Sequence, residues 1–204
     1  MRTIFAVGRS EDFSHGLENW STHLYYRSHS GGCRGAGHCA WNRRTGAKLM
    51  PSPDGSWREA LLIGRHPDDR LFSDREGAVW NFPGCRRGIL DADLTLAPDS
   101  AGIRISHVGC WINPRDEYVR EYTTFSAVLD GDGCLNGVRL AEPGKRFTLH
   151  LEFDLDTRQL KLSTEQGKTS LGSELALSYL HLQTAAEKAA PAGVYLHCVT
   201  MKKG

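Results

Sequence analysis

Tryptophans in polar, glycine-rich surroundings are the side chains of this sequence best suited to binding chemistry. The chain has five tryptophans, and Trp20, Trp41 and Trp57 stand among glycine and charged residues. An indole face can stack on the apolar C–H face of a sugar ring while nearby Asn, Asp and Arg side chains hydrogen-bond its hydroxyls. The alternative for any one tryptophan is packing in a hydrophobic core.

The densest group of such residues is the segment Trp111–Asp116, which follows a predicted strand at 103–109. Pro114 stiffens this segment, which therefore favours a ligand-facing loop. The alternative is a turn whose Asn and Asp side chains cap backbone groups. Together with two of the tryptophans above, the predicted ligand-binding residues are Trp41, Trp57, Trp111, Asn113, Arg115 and Asp116.

Acid–base and metal-binding patterns are weaker. His66 stands near Asp68 and Asp69 and could do acid–base work, but a solvated loop explains these charges better. Cys33 and Cys39, with two histidines nearby, are spaced too widely for a usual zinc pair. The sequence predicts no catalytic residues, no metal and no cofactor.

A run of aspartates offers the one pattern that resembles calcium ligation. Asp130, Asp132 and Asn136 have the start of such a spacing, but Ala141 stands where an EF-hand needs glutamate. The Asp-Gly pairs in this run supply the positive φ that hairpin turns need. A hairpin turn between strands at 125–129 and 138–140 is therefore favoured.

Charge and composition exclude several partner classes. Lys and Arg total 25 and Asp and Glu total 24 in 204 residues, a net charge of +1 that gives no field for nucleic acid or an acidic membrane. The six cysteines are interpreted as free thiols in a reducing compartment. No secretory leader is visible, so a cytoplasmic location is expected for the sequence as given, and a secreted or surface location if a leader was removed.

Apolar and polar residues alternate along much of the chain, and the strands that this pattern predicts must position the candidate residues. Thr148–Leu155 alternates apolar and polar side chains, Leu160–Leu162 resumes the pattern after a polar turn, and Leu90–Leu96 alternates equally well. The pattern predicts an all-β, antiparallel two-sheet jelly-roll sandwich. Further strands are expected at 3–7, 47–49, 61–63, 103–106, 179–183 and 194–199. A short helix is expected at Thr184–Ala190 because good helix formers precede Pro191.

We expect one β-sandwich domain over residues 1–204. Its core is predicted at 78–204, where the alternation is regular, and 1–77 should add outer strands and loops. Residues 28–46, rich in Gly, Arg and Cys, are expected to form a long mobile loop.

Several of these segments resemble a known family. They are Gly77–Gly84, Gly88–Leu90, Trp111–Asp116, Phe125–Asp130, and the hairpin Leu149–Leu162 with Ser178–Gln183. Together they resemble the lectin-like, concanavalin-A-type sandwich domains of bacterial sialidase-like BNR-repeat proteins. Ser73–Trp80 also resembles the Asp-box of those proteins, with Arg75 at the aspartate position. A sialidase propeller does not fit in this length, so none of its catalytic residues is carried over.

This resemblance implies a carbohydrate-binding, lectin-like module whose partner is a glycan, associated with sialidase-like glycan degradation. The alternative is an enzyme on a jelly-roll sandwich. A glycoside hydrolase would use two carboxylates, with candidates Asp91, Asp93, Glu152 and Asp154. A polysaccharide lyase would use Tyr, His and Arg side chains together, with candidates Tyr25, Tyr26, Arg27 and His29. A structural domain without a ligand is the third interpretation. Whether the chain is an enzyme stays open at this point.

Overall fold

Antiparallel strands make up the regular structure of this protein. The computed structural model describes residues 6–17, 20–22, 47–65, 76–109, 123–172, 177–188 and 190–204. The strands in chain order are β1 (Ala6–Glu11), β2 (Trp20–Ser21), β3 (Lys48–Pro51), β4 (Glu59–Arg65), β5 (Gly77–Cys85), β6 (Arg87–Leu96), β7 (Gly102–Val108), β8 (Thr123–Asp130), β9 (Cys134–Leu135), β10 (Val138–Arg139), β11 (Arg146–Asp154), β12 (Gln159–Ser163), β13 (Lys168–Gly172), β14 (Leu177–Thr184) and β15 (Ala190–Lys203). Within these ranges there is no helix, and hence none that could span a membrane.

The strands form two main sheets. The larger has eight strands in the order β13-β12-β11-β6-β15-β4-β3, with β1 also paired to β15. The smaller has five, in the order β2-β5-β14-β7-β8. The long strand β15 holds the large sheet together because β6 pairs with one edge while β4 and β1 share the other.

Alternating side chains separate the two faces of the large sheet. In β11, Leu149, Leu151 and Phe153 are buried while the residues between them lie on the outer face. The neighbouring β6 is in register, with Leu151 opposite Leu90. Burial of one such leucine contributes about 2 kcal/mol. The alternation and the β11–β12 hairpin expected from the sequence are confirmed.

One hydrophobic core cluster joins the two sheets. It takes Leu94 and Val199 from the large sheet and Trp80, Ile105 and Leu180 from the small one, all buried. This packing of one sheet on another is the predicted antiparallel β-sandwich.

The core also receives side chains from before residue 78. Leu61 and Ile63 of β4 are fully buried in the same cluster, because β4 lies inside the large sheet between β15 and β3. The core therefore begins earlier along the chain than the alternation indicated. Residues 28–46, expected to form a loop, lie outside the described residues.

The helix expected at Thr184–Ala190 is wrong for the part that the structure describes. Thr184 ends β14, and 185–188 are irregular. The backbone N–H of Thr184 donates to Glu76 O and that of Ala185 to Gly102 O, at 2.9 and 3.1 Å. The Arg65 guanidinium donates to the carbonyl of Ala186, at 2.9 Å. These long-range hydrogen bonds override the helix propensity of the segment.

The turn after β8 differs in detail from the expectation. Asp130 Oδ1 accepts the backbone N–H groups of Asp132 and Cys134, at 3.1 and 2.8 Å, so this aspartate organises a turn as predicted. The tight hairpin closes further on, where Asn136 and Gly137 both have positive φ between β9 and β10. Strand β8 pairs with β7. Among the described residues, no group of three or more His, Cys, Asp and Glu is placed to hold a metal ion.

Candidate functional site

Trp57 is the one predicted binding residue that the structure describes, and its side chain is fully exposed. Trp20 and Trp80 are 7% and 0% exposed and stack with ring centroids 6.0 Å apart, so the core alternative holds for both. The other predicted residues lie outside the described residues, as do the cysteine pair and the lyase and acid–base groups: Trp41, Trp111, Asn113, Arg115, Asp116, Cys33, Cys39, Tyr25, His29, His66, Asp68 and Asp69.

Trp57 lies on a turn between β3 and β4 that Asp54 organises from within. Asp54 Oδ1 accepts hydrogen bonds from Ser52 Oγ and from the backbone N–H of Ser56, at 2.6 and 2.9 Å. The backbone N–H of Ser52 donates to Arg58 O at 2.9 Å and closes the turn one residue after Trp57. An aspartate that bonds the backbone two residues on is a turn-forming arrangement. The turn therefore holds the backbone that carries the indole.

Arg146 ties this turn to the outer face of the large sheet. Its Nη1 donates to Asp54 Oδ2 at 3.1 Å and its Nη2 donates to Asp93 Oδ2 at 2.9 Å. Thr148 Oγ1 donates to the second oxygen of Asp93 at 2.6 Å. We call Ser52, Asp54, Thr95, Asp93, Arg146, Thr148 and His197 the outer-face cluster.

His197 adds a second link between the turn and the sheet. Its Nδ1 lies 3.2 Å from Ser52 Oγ and its Nε2 lies 2.8 Å from Thr95 Oγ1. Because the Ser52 hydroxyl proton is donated to Asp54, we assign the imidazole proton to Nδ1, which leaves Nε2 to accept from Thr95. Burial, together with the charge of Arg146, lowers the pKa of His197 and keeps the ring neutral in this role.

The charged members of the outer-face cluster are ionised at neutral pH. Hydrogen bonds from Ser52 and Ser56 hold the pKa of Asp54 far below its usual range. Burial opposes the charge of Asp93, but hydrogen bonds from Thr148 and Arg146 outweigh it and lower the pKa of that carboxyl. Burial likewise opposes the charge of Arg146, and the Asp93 carboxylate outweighs it and raises the Arg146 pKa. Two carboxylates around one guanidinium leave the cluster rich in hydrogen-bond acceptors.

Cys198 lies beside this cluster as an inert thiol. Its Sγ donates to Asp93 Oδ2 over 3.4 Å. Burial and the neighbouring Asp93 charge raise the pKa of Cys198 to about 11. Since the thiolate is the reactive form, this cysteine is not a nucleophile at neutral pH.

Asp91 and Asp93, two of the carboxylates considered for hydrolysis, lie on one face of β6 and are paired with cations. Asp91 of β6 stands directly opposite His150 of β11, whose Nδ1 is 2.5 Å from Asp91 Oδ1. Lys202 Nζ donates to the other Asp91 oxygen at 2.6 Å, much as Arg146 pairs with Asp93. Glycoside hydrolysis requires two carboxyl groups that flank a bond between them. Asp91 and Asp93 lie on one sheet face, and each is ion-paired to a cation.

The sequence singled out Trp57, which the structure shows to be exposed, but not the outer-face cluster that holds its turn. Asp93 and Thr148 were visible as polar positions on alternating strands, but Asp54 and Arg146 are separated by 92 residues. Asp54 and Arg146 come together only in the folded sheet, where β11 pairs with β6, β6 with β15, β15 with β4 and β4 with β3.

Comparisons with known proteins show the fold. The carbohydrate recognition domain of Emp47p matches 98% of this chain with a TM-score of 0.56 and 11% identity, and the chain covers 97% of it. The K3 cleaved adhesin domain of Lys-gingipain from Porphyromonas gingivalis matches 98%, with a TM-score of 0.51 and 12% identity, and the chain covers 99% of it. A sialidase also matches 98%, with a TM-score of 0.53 and 13% identity. The chain spans 18% of the length of that sialidase.

These similarities identify the sandwich as the lectin-like, concanavalin-A type expected from the sequence. No family model matches the chain. No curated protein matches it either.

Proposed function

We propose that this protein is a carbohydrate-binding module and that its sugar contact is the Trp57 turn with the adjoining outer-face cluster. The observation that carries the proposal is a fully exposed indole on a turn held by Asp54 and fastened to the sheet by Arg146. The exposed indole offers a large, flat apolar surface to a ligand.

The chemistry around Trp57 suits a sugar. The indole supplies a flat apolar face for the C–H side of a pyranose ring, and the carboxylates of Asp54 and Asp93 retain lone pairs that can accept hydroxyl protons. Because the turn is already closed before binding, little conformational entropy is lost when a ligand docks. An apolar aromatic surface with a few placed polar groups is the usual composition of a ligand site.

The fold supports the same proposal. One structure with a similar fold is a carbohydrate recognition domain and another is a sialidase, of which this chain corresponds to only a part. We therefore further propose that the module acts in glycan degradation by holding a sialidase-like enzyme on its substrate. The cation-paired carboxylates of the large sheet give no support to a hydrolase activity of this chain itself.

Trp57→Ala is expected to weaken glycan binding at least about tenfold, the loss typical of a central aromatic contact. The measurement is a glycan array followed by titration calorimetry with the strongest-binding glycan. Thermal stability should stay unchanged because the exposed ring packs against nothing that would be lost. Val128→Ala is the matched control, since Val128 is also an exposed apolar residue but lies on the small sheet.

Two results would contradict the proposal. One is a wild-type protein that binds no glycan on an array of host, plant and microbial sugars. The other is a Trp57→Ala protein that binds as tightly as the Val128→Ala control.

A further inference from the structure

The small sheet ends in a strand whose outer edge is open. Strand β8 pairs with β7 along one side, and no described strand lies along its other side. From Phe125 to Asp130 the pairing with β7 is unbroken, so this edge is regular over about 20 Å. The backbone N–H and C=O groups that point away from β7 are a template for a further strand.

The amino-acid composition of β8 does not protect this edge. The run Phe125–Leu129 has no charged residue, no proline and no glycine. The strands at the other ends of the two sheets differ from it: β3 carries Lys48 and Pro51, β13 begins with Lys168, and β2 has only two residues. Lysine, proline and short length are usual means by which an edge strand avoids pairing with another chain.

The side chains of β8 show that this edge is accessible. Val128 is 37% exposed on the outer face of the sheet, and Ser126 on the same face is exposed too. Ala127 is only partly buried, although it lies between the buried Phe125 and Leu129 on the inward face. A partner strand along this edge would therefore cover an exposed valine as well as the backbone groups.

We propose that two copies of this chain form a dimer in which their β8 strands pair antiparallel, edge to edge, across a twofold axis. Such a pair needs no second sequence, because each β8 offers the other the same open edge. The charges permit it as well. Asp130 is the one charged residue in the sequence of β8, and the antiparallel arrangement places the two Asp130 residues at opposite ends of the contact.

The contact is small. About six residues of each strand exchange about six main-chain hydrogen bonds, and an interface of this length lies at the weak end of protein–protein contacts. We therefore expect a reversible dimer whose population grows with protein concentration. The contact lies on the small sheet, whereas the Trp57 turn joins β3 and β4 of the large sheet, so the dimer does not rest on the proposed sugar contact.

The test is sedimentation equilibrium of the whole chain, without glycan, between about 5 and 500 µM, where small interfaces associate. The mass of the wild type should rise from that of one chain towards that of two. Val128→Glu should weaken dimerisation at least about tenfold, because it brings like charges together across the axis. The single chain should accommodate this change, since position 128 stands opposite Arg104 of β7.

Two control variants accompany this test. Ser170→Glu is the matched control, because Ser170 is an exposed residue of the edge strand β13 and stands opposite a cation, Lys161, as Val128 stands opposite Arg104. It should dimerise as the wild type does. Val128→Thr keeps a branched, uncharged side chain and should dimerise within about twofold of the wild type. Melting temperatures check that each variant is folded.

Amide hydrogen exchange of the wild type is a second measurement that needs no variant. The β8 amides should become more protected as the protein concentration rises, and those of β13 should not. A wild type that stays monomeric at every concentration overturns the proposal, and binding of an extended peptide along β8 in that monomer would assign the edge to a peptide partner. A folded Val128→Glu protein that dimerises as well as Ser170→Glu overturns it too. Trp57→Ala should dimerise like the wild type, so failure here and failure of glycan binding are separate results.

Discussion

When the pH falls from 7 to 4, the His107→Leu protein is expected to lose about 3 kcal/mol less unfolding free energy than the wild type. His107 lies in the middle of the sandwich and is fully buried. The rings of Phe82, Phe125 and Phe153 surround it edge-on, with centroids 6.1, 6.0 and 5.9 Å away. Neither of its ring nitrogens has a hydrogen-bond partner among the described residues.

The sign of this effect follows from where the proton binds. Burial lowers the pKa of His107 from 6.5 to about 4, while the unfolded chain keeps the ordinary value. As the pH falls from 6.5 towards 4, the unfolded state binds a proton that the folded state does not bind, so the free energy of unfolding falls. Once the pH is well below 4, both states are protonated and this contribution changes no further. Leucine has nearly the same volume and no proton to bind.

The measurement is chemical denaturation of wild type and His107→Leu at a series of pH values from 7 to 4. His15→Leu is the control because His15 is exposed, and it should follow the wild-type curve. Parallel stability curves for wild type and His107→Leu would show that the buried imidazole finds a partner for its proton and would refute the interpretation.

Gly133→Ala is expected to destabilise the protein by at least about 3 kcal/mol, whereas Gly137→Ala should cost about 1 kcal/mol. Both glycines have similar positive φ, 77° and 79°, so both substitutions carry the cost of the left-handed conformation. At Gly133 an added Cβ would lie 2.2 Å from the carbonyl oxygen of Ala141, whereas at Gly137 no atom is within 4 Å. The difference between the two variants isolates the steric conflict.

Urea denaturation of the two variants gives this difference directly. Equal losses of unfolding free energy would mean that the chain between Gly133 and Ala141 can move apart without cost. That result would contradict the close packing of the turn after β8, where the N–H groups of Leu140 and Ala141 donate to the Gly133 carbonyl at 2.8 and 3.1 Å.

The two-sheet fold was predictable because its signal is local. In β11 the alternation of Leu149, Leu151 and Phe153 with polar residues requires no knowledge of the partner strand. The same rule, extended by one step, would have found the buried histidine: Ile103, Ile105 and His107 are successive inward positions of β7. The clear alternation of apolar and polar residues extends only over 103–106, so the inward position of His107 near the end of β7 was not recognised.

The surroundings of each tryptophan could not be predicted because they depend on distant pairing. Trp20 and Trp57 both stand in polar segments, yet Trp20 is buried because β2 pairs with β5 and places it opposite Trp80. Trp57 is exposed because its turn projects from β3 and β4 near one edge of the large sheet. The helix expected at Thr184–Ala190 failed for the same reason, since hydrogen bonds to Glu76 and Gly102 direct that segment.

The most direct test follows the indole N–H signal of Trp57 by NMR, assigned with the Trp57→Phe variant, while the strongest array glycan is added. If the Trp57 turn is the sugar contact, this signal shifts with the same saturation curve as the calorimetric titration. The buried indole of Trp80 should not respond. Saturable glycan binding that leaves the Trp57 indole signal unmoved would place the sugar elsewhere on the protein.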